Sequence, residues 1–202
     1  MSSNKLKNLF TKYFLTSLYE TAGTAAPISL KSIFIQKILR INGKAYWPVH
    51  HSSVVTSPQN IKIGIGTAPG LSPGCYIQGG GRIYIGDYTI VAPNVGIISA
   101  NHDLHDQSKH IRAEVHIGNY CWIGMNSIVL PNVTLGDHTI VAAGSVVTKS
   151  FPDGYCVVGG NPARVIKVLE KELCVKYANK FEYYGYIKKS EFEGYRGKYL
   201  NV

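Results

Sequence analysis

The feature that most constrains this chain is an aliphatic residue at every sixth position. Reading from Ile117 gives Ile117, Ile123, Val129, Leu135, Val141 and Val147, and reading from Ile85 gives Ile85, Val91 and Ile97. A further run, Ile65, Leu71, Ile77 and Ile83, lies two residues out of phase with the second. A spacing of six does not fit a helix. It is three strand repeats of two, so every aliphatic points to the same side of the backbone.

The intervening positions are patterned too. A small residue follows the aliphatic at Gly66, Ser72, Gly86, Ala92, Gly118, Gly124, Gly136 and Ala142. Three positions further on stands a small or β-branched one, at Cys75, Thr89, Val95, Cys121, Ser127, Val133, Thr139 and Ser145. Gly86-Asp87, Gly118-Asn119, Pro131-Asn132 and Gly136-Asp137 are tight-bend dipeptides. A flat sheet needs longer strands. A chain coiling in six-residue faces buries its aliphatics along one axis and stacks each turn on the last. The pattern breaks once, between Ile97 and Ile111, over Asn101-His102-Asp103-Leu104-His105-Asp106-Gln107-Ser108-Lys109-His110. Ile111 falls in phase with Ile117, which predicts eight extra residues in a loop on one face of the coil.

Composition excludes several classes. The chain has 202 residues, 45% hydrophobic and 16% charged, too apolar for a disordered chain and long enough for one domain with a small appendage. No stretch approaches the roughly 18 uncharged apolar residues of a membrane helix. The first residues are basic without an apolar run behind them, so a secretory signal is not expected. Cys75, Cys121, Cys156 and Cys174 form no short-spaced pair, which points to reduced thiols in a cytoplasmic protein. The net charge of +9 is spread over both ends, without a basic run interleaved with aromatics, which argues against nucleic-acid binding.

Both ends differ from the middle. Residues 4–20, with Leu6, Phe10, Tyr13, Phe14 and Leu18, and residues 28–41 have amphipathic helical spacing. The stretch from Val168 to about Lys180 also reads as helix, and 181–202 as a loosely packed tail. Capping the open ends of the coil is the first reading of these segments. A basic helix lying on a membrane at 28–41, and so a peripheral membrane contact, is the second.

From about Ile61 to Lys167 the sequence resembles the hexapeptide-repeat acyltransferases. The motifs that carry the resemblance are Ile117-Gly118-Asn119-Tyr120-Cys121-Trp122-Ile123-Gly124, Gly144-Ser145-Val146-Val147-Thr148-Lys149 and Gly160-Asn161-Pro162-Ala163-Arg164-Val165-Ile166. They are closest to those of sugar and surface-polysaccharide O-acetyltransferases. The resemblance implies a mainly β fold, a left-handed parallel β-helix with α-helical segments at both termini. It divides the chain into a helical segment at 1–60, the β-helix at 61–167 with the 101–110 loop, and a helix and tail at 168–202.

The resemblance also implies a chemistry. Acetyl transfer from a thioester to a hydroxyl needs a base near neutrality, and then an acid for the leaving thiolate; one imidazole serves both. His102, where the loop leaves the coil, matches the family's histidine. The backbone amide of Met125 matches the oxyanion donor. Trp122, Met125, Ala143, Thr148, Lys149, Arg164 and Lys167 would hold acetyl-CoA, the donor substrate. Ser72, Tyr76, Asn101 and Asp103 would face the acceptor, and Tyr84 and Tyr88 offer further aromatic faces. Asp103, Asp106 and Glu114 are near enough in sequence to orient His102, and the sequence does not choose among them. The galactoside and maltose type carries an Asn and an Asp at the places of Ser72 and Gly80, so a free galactoside or maltose is not the expected acceptor. The expectation is a sugar hydroxyl of a surface polysaccharide or its precursor, in a homotrimer. A small non-sugar hydroxyl, such as serine or an antibiotic, is the alternative within the class. His102, His105, His110 and His116 raise a second alternative, a zinc-dependent hydratase of carbonic-anhydrase type on the same fold. The absence of a neat ligand motif argues for no metal.

Overall fold

A computed structural model of the chain describes residues 15–202. The expected helix at 4–20 lies outside the described residues as far as residue 14, and 15–20 are helical. A short helix α1 (Leu30–Ile33) runs directly into a π-helical turn, Phe34–Ile38. The chain then winds as a three-faced coil of short parallel strands. Face one stacks β1 (Val54–Thr56), β3 (Tyr76–Gln78), β6 (Gly96–Ile98), β11 (Ile128–Val129) and β14 (Val146–Val147). Face two stacks β2 (Ile61–Lys62), β4 (Arg82–Ile85), β9 (Glu114–Ile117) and β12 (Thr134–Leu135). Face three stacks β5 (Ile90–Val91), β10 (Trp122–Ile123), β13 (Thr139–Val141) and β15 (Cys156–Gly160). From β4 to β14, apart from the hairpin between β6 and β9, successive strands visit the faces in turn, so each turn hydrogen-bonds to the next through parallel ladders.

The aliphatic ladder is the core. Val55, Ile77, Ile97, Val129 and Val147 lie in register down face one. Val91, Ile123, Val141 and Val158 do so down face three. Every member of the sequence periodicity is buried except Leu71, which is half-exposed. The two-residue phase slip has a simple cause. Strand β4 is four residues long, and Ile83 and Ile85 both point inward with Tyr84 between them.

Two kinds of small residue close the corners. Gly64, Gly86, Gly118, Gly136 and Gly154 form one column, and a Cβ on any of the first four would sit 2.2–2.6 Å from an atom of the next turn. Hydroxyls turn inward and donate to main-chain oxygens: Thr89 to Gly118 at 2.8 Å, Ser127 to Gly124 at 2.6 Å and Thr139 to Gly136 at 2.7 Å. One corner carries an aromatic stack, Tyr88, Tyr120, His138 and Tyr155, all at positive φ with ring centroids 5.0–5.4 Å apart.

Register also measures the interruption. From Ile97 to its partner Val129 is 32 residues, whereas Val129 to Val147 is 18. The excursion therefore adds fourteen residues to a plain turn, rather than the expected eight. Ile111 does not rejoin the core. It sits on β8 (His110–Arg112), paired antiparallel with β7 (Ala100–His102), and is 50% exposed.

The C-terminal region departs from the sequence expectation. The stretch after 168 is not an extended helix. β16 (Ala163–Val168) folds back antiparallel on β15, a 3-10 turn follows at Lys171–Leu173, and the chain then runs without regular structure. It passes along the aromatic corner, where Tyr120 donates to the Tyr177 carbonyl at 2.9 Å. Nor are residues 181–202 loose. The hairpin of β17 (Tyr183–Tyr184) and β18 (Ile187–Lys188) leads into α2 (Lys189–Tyr199), whose Phe192 is buried and stacked on Tyr184 at 3.8 Å.

Candidate functional site

The excursion is a hairpin rooted in the corner between faces one and two. Its root is held by polar groups with defined partners. The Gln78 side-chain oxygen accepts from the amides of Ser99 and Ala100 at 3.2 and 2.9 Å. Buried Ser99 donates to the Gln78 carbonyl at 2.6 Å and accepts from the Gly81 amide at 2.9 Å. Gly80 lies against this root: a Cβ there would stand 2.9 Å from the Ala100 methyl carbon. The tip is organised by its own acids. Asp103 accepts from the amides of His105 and Asp106 at 2.8 and 2.9 Å, and Asp106 holds Ser108 and pairs with Lys109.

His102 ends β7 and is exposed. Its Nδ1 lies 2.6 Å from the Gln107 carbonyl oxygen. A carbonyl can only accept, so Nδ1 carries a proton, and in the neutral ring the lone pair is on Nε2. None of the three carboxylates weighed from the sequence orients this ring. Asp103 and Asp106 are turned to the loop, and Glu114 is 3.0 Å from His116 and 3.5 Å from Arg82. Sequence reasoning missed Gln107 because the orienting atom is main chain and leaves no residue-type signal.

Only His110 among the other histidines meets His102, with ring centroids 4.3 Å apart. His116 is stacked on Tyr84 at 4.6 Å on face two. Among the described residues no three His, Cys, Asp or Glu side chains converge to hold a metal ion.

The remaining candidates fall into two places. Trp122 and Met125 are half-exposed; Trp122 lies on the outer side of face three and Met125 on its corner with face one. Ala143 lies one turn below Met125, and the next amide, Gly144, donates to the Met125 carbonyl at 2.9 Å. Lys167 continues the outer row of Trp122, through Ile140 and Val157, and Arg164 stands beside Gly159. Thr148 and Lys149 lie at the other end of face one, below the hairpin root. Lys149, Arg164 and Lys167 are in no ion pair with another described residue. One chain thus holds the root of the His102 hairpin and the Met125 corner at opposite ends of face one, an extended run of five residues or roughly 16 Å.

On the acceptor side, Ser72 is committed to the coil, donating to the Val91 carbonyl at 2.8 Å. Tyr88 is buried in the aromatic corner, whereas Tyr76 is exposed on face one beside Gly96. Asn101 is exposed on β7. The sequence did not point to the cleft next to the root, about 430 Å³, where Arg82, Arg112 and Glu114 stand around Gly80 and Gly81. The two arginines are 30 positions apart; Arg82 begins β4 and Arg112 stands two residues before β9, so they line one cleft because β4 and β9 are neighbours.

Comparison with known proteins agrees with this architecture. Residues 114–149 match the model of the bacterial transferase hexapeptide (six repeats). Galactoside O-acetyltransferase of Escherichia coli K12 is 37% identical over 89 residues, covering 42% of this chain and 43% of that protein. The chain spans about half the length of the curated relatives it matches. Among solved structures, a maltose O-acetyltransferase from Clostridium difficile 630 superposes with a TM-score of 0.55 at 25% identity, over 84% of this chain and 90% of that one. A galactoside acetyltransferase in complex with coenzyme A superposes with a TM-score of 0.56 at 24% identity, over 91% of both chains. The repeat at 114–149 is a bacterial transferase hexapeptide repeat, and the chain built around it has the fold of the hexapeptide-repeat acetyltransferases.

Proposed function

We propose that this protein is an acetyl-CoA-dependent O-acetyltransferase that modifies a sugar hydroxyl of a surface polysaccharide or its precursor, with His102 as the general base. The observation that carries the reading is the Nδ1–Gln107 hydrogen bond, which leaves the basic Nε2 of an exposed imidazole free. Nε2 takes the proton of the acceptor hydroxyl as its oxygen attacks the thioester carbonyl. The Met125 amide, which has no acceptor among the described residues, donates to the oxygen that becomes negative. His102 then returns the proton to the departing thiolate. Trp122 and Ala143 flank the pantetheine arm, and Lys149, Arg164 and Lys167, in no ion pair with another described residue, suit with Thr148 the phosphates of the nucleotide end. The similarity to galactoside and maltose O-acetyltransferases supports a sugar acceptor.

The separation of His102 from the Met125 corner supports a shared site. In a homotrimer of left-handed coils, the hairpin of one chain would reach the Met125 corner of the next. Light scattering of the active form should give three times the 22.2 kDa chain mass, and an active monomer would overturn the shared site.

Ser72 and Gly80 offer no polar grip on a small sugar, and Arg82 and Arg112 beside the root suit an acidic or phosphate-bearing acceptor. An oligosaccharide, or a lipid- or nucleotide-linked sugar, is therefore the preferred acceptor. A thiol-release assay over monosaccharides, matched oligomers, linked sugars, serine and antibiotics tests this. Higher kcat/KM for the oligomer or linked form is expected; equal values, or a preference for serine or an antibiotic, would refute the acceptor assignment.

A further inference from the structure

The helix at Leu30–Ile38 is built inside out. A surface helix of a water-soluble protein turns its apolar stripe to the core. Here the buried positions are Ser32 and Gln36. Gln36 is fully buried: its amide donates to the Trp47 carbonyl at 3.1 Å, and its oxygen accepts from the Val49 amide at 3.0 Å and the Tyr186 hydroxyl at 2.5 Å. A polar side chain thus anchors the helix to the first turn of the coil. Leu30, Phe34 and Ile38 follow at intervals of four on the outside, and Leu39 and Ile41 extend the patch. These five are 42–66% exposed. Five outward apolar side chains on one short segment mark a contact surface.

The charge around the patch says which surface. Lys31, Arg40 and Lys44 border it, while Lys37 leans on the carbonyls of Gly43 and Ala45. Between Glu20 and Asp87 there is no acidic residue at all, although six lysines and arginines fall in that span. A two-fold contact with a second copy would bring this basic rim against its own like charge. An anionic bilayer complements both the rim and the apolar face.

We propose that the Leu30–Ile41 face docks this protein on an anionic lipid surface. Leu30, Phe34, Ile38, Leu39 and Ile41 enter the boundary between headgroups and acyl chains, and Lys31, Arg40 and Lys44 meet the lipid charge. The proposal takes up the second of the two sequence readings of 28–41, since the helix touches the coil through its polar side and leaves its apolar side outward. No described helix is long and apolar enough to cross a membrane, so the contact is peripheral.

The test is flotation of the full chain with vesicles of pure phosphatidylcholine and of phosphatidylcholine with 30% phosphatidylglycerol, read by bound fraction, with light scattering of the same samples without lipid. Binding to the anionic vesicles, weakened by salt, is expected. It should fall about tenfold or more in Lys31→Glu/Lys44→Glu and in Phe34→Ser/Ile38→Ser, whose substituted side chains are exposed, with the solution mass unchanged. No binding to anionic vesicles, equal binding to neutral ones, or a lower solution mass in Phe34→Ser/Ile38→Ser would overturn the proposal, the last by assigning the face to a second copy. No readout involves acetyl transfer, so the outcome is independent of the function proposed above.

Discussion

The Nδ1 atom of His102 lies 2.6 Å from the Gln107 main-chain oxygen, so the hairpin fixes the tautomer of its own imidazole without a carboxylate. The bond spans five residues within one loop, and the orientation of the ring therefore depends on the loop keeping its shape. Asp103 and Asp106, which cap amides in that loop, act on His102 only through it.

His102→Ala should lower turnover by about 10²–10⁴-fold with the KM for acetyl-CoA little changed. Steady-state kinetics with saturating acceptor measure it. Near-normal turnover would remove His102 from the chemistry.

Gln78→Leu removes the acceptor shared by the Ser99 and Ala100 amides at the hairpin root. The Ser99 amide keeps the Gln78 main-chain oxygen at 3.2 Å, so the loss falls chiefly on the Ala100 amide, at a cost of about 1–3 kcal/mol. Chemical denaturation should show that loss. Turnover should drop more than the donor KM rises, because the Gln78 side chain holds the strand that carries His102.

The register assignment is tested by a pair of truncations. Ile97→Ala removes a fully buried side chain in the face-one column and should cost about 2–5 kcal/mol. Ile111→Ala, on the exposed hairpin, should stay within about 0.5 kcal/mol. Equal losses at the two sites would place Ile111 in the coil after all.

His138 gives a pH dependence with a definite sign. It is stacked between Tyr120 and Tyr155, its Nε2 is buried without a partner among the described residues, and burial lowers its pKa despite the opposing pull of Asp137. Above about 6.5 both folded and unfolded states hold it neutral. Below that, and down to the lowered folded value, the unfolded chain binds the extra proton, so stability falls as pH falls. His138→Tyr places in the corner the residue found at Tyr120 and Tyr155, with their backbone conformation, and should flatten that slope between pH 7.5 and 5.5. Denaturation midpoints at the two pH values decide it; an unchanged slope would exonerate His138.

Prolonged chelation should leave acetyl transfer intact. Stoichiometric zinc in the purified protein, with activity lost on its removal, would instead favour the hydratase reading.

The coil was readable in the sequence because six residues are three strand repeats, which makes burial itself periodic. Tertiary register was not readable. Ile111 has the spacing of a core residue, and only the antiparallel pairing of β7 with β8 shows that it lies outside. The C-terminal helix was missed for a related reason. Gly194 and Gly197 weaken its propensity, and its one buried side chain, Phe192, is fixed by a Tyr184 stack rather than by an apolar stripe. His102 was singled out by its position in the interruption and by the resemblance, while its Gln107 partner needed the folded hairpin. The Arg82–Arg112 cleft needed β4 and β9 to be neighbours, which spacing alone does not state.

The hairpin leaves the coil at Ala100 and returns at Arg112, and these two residues are paired with each other. To the rest of the molecule the excursion is therefore an appendage whose two ends meet, and the ladder of Ile97 and Val129 closes beneath it without regard to what hangs outside. Lengthening such a loop adds only a slowly growing entropic cost, about 0.6 kcal/mol for each doubling. The part of the chain that carries the imidazole can thus be exchanged, resized or reshaped by mutation while the scaffold stays intact. A lineage built on this coil can change what it recognises without first having to learn to fold again.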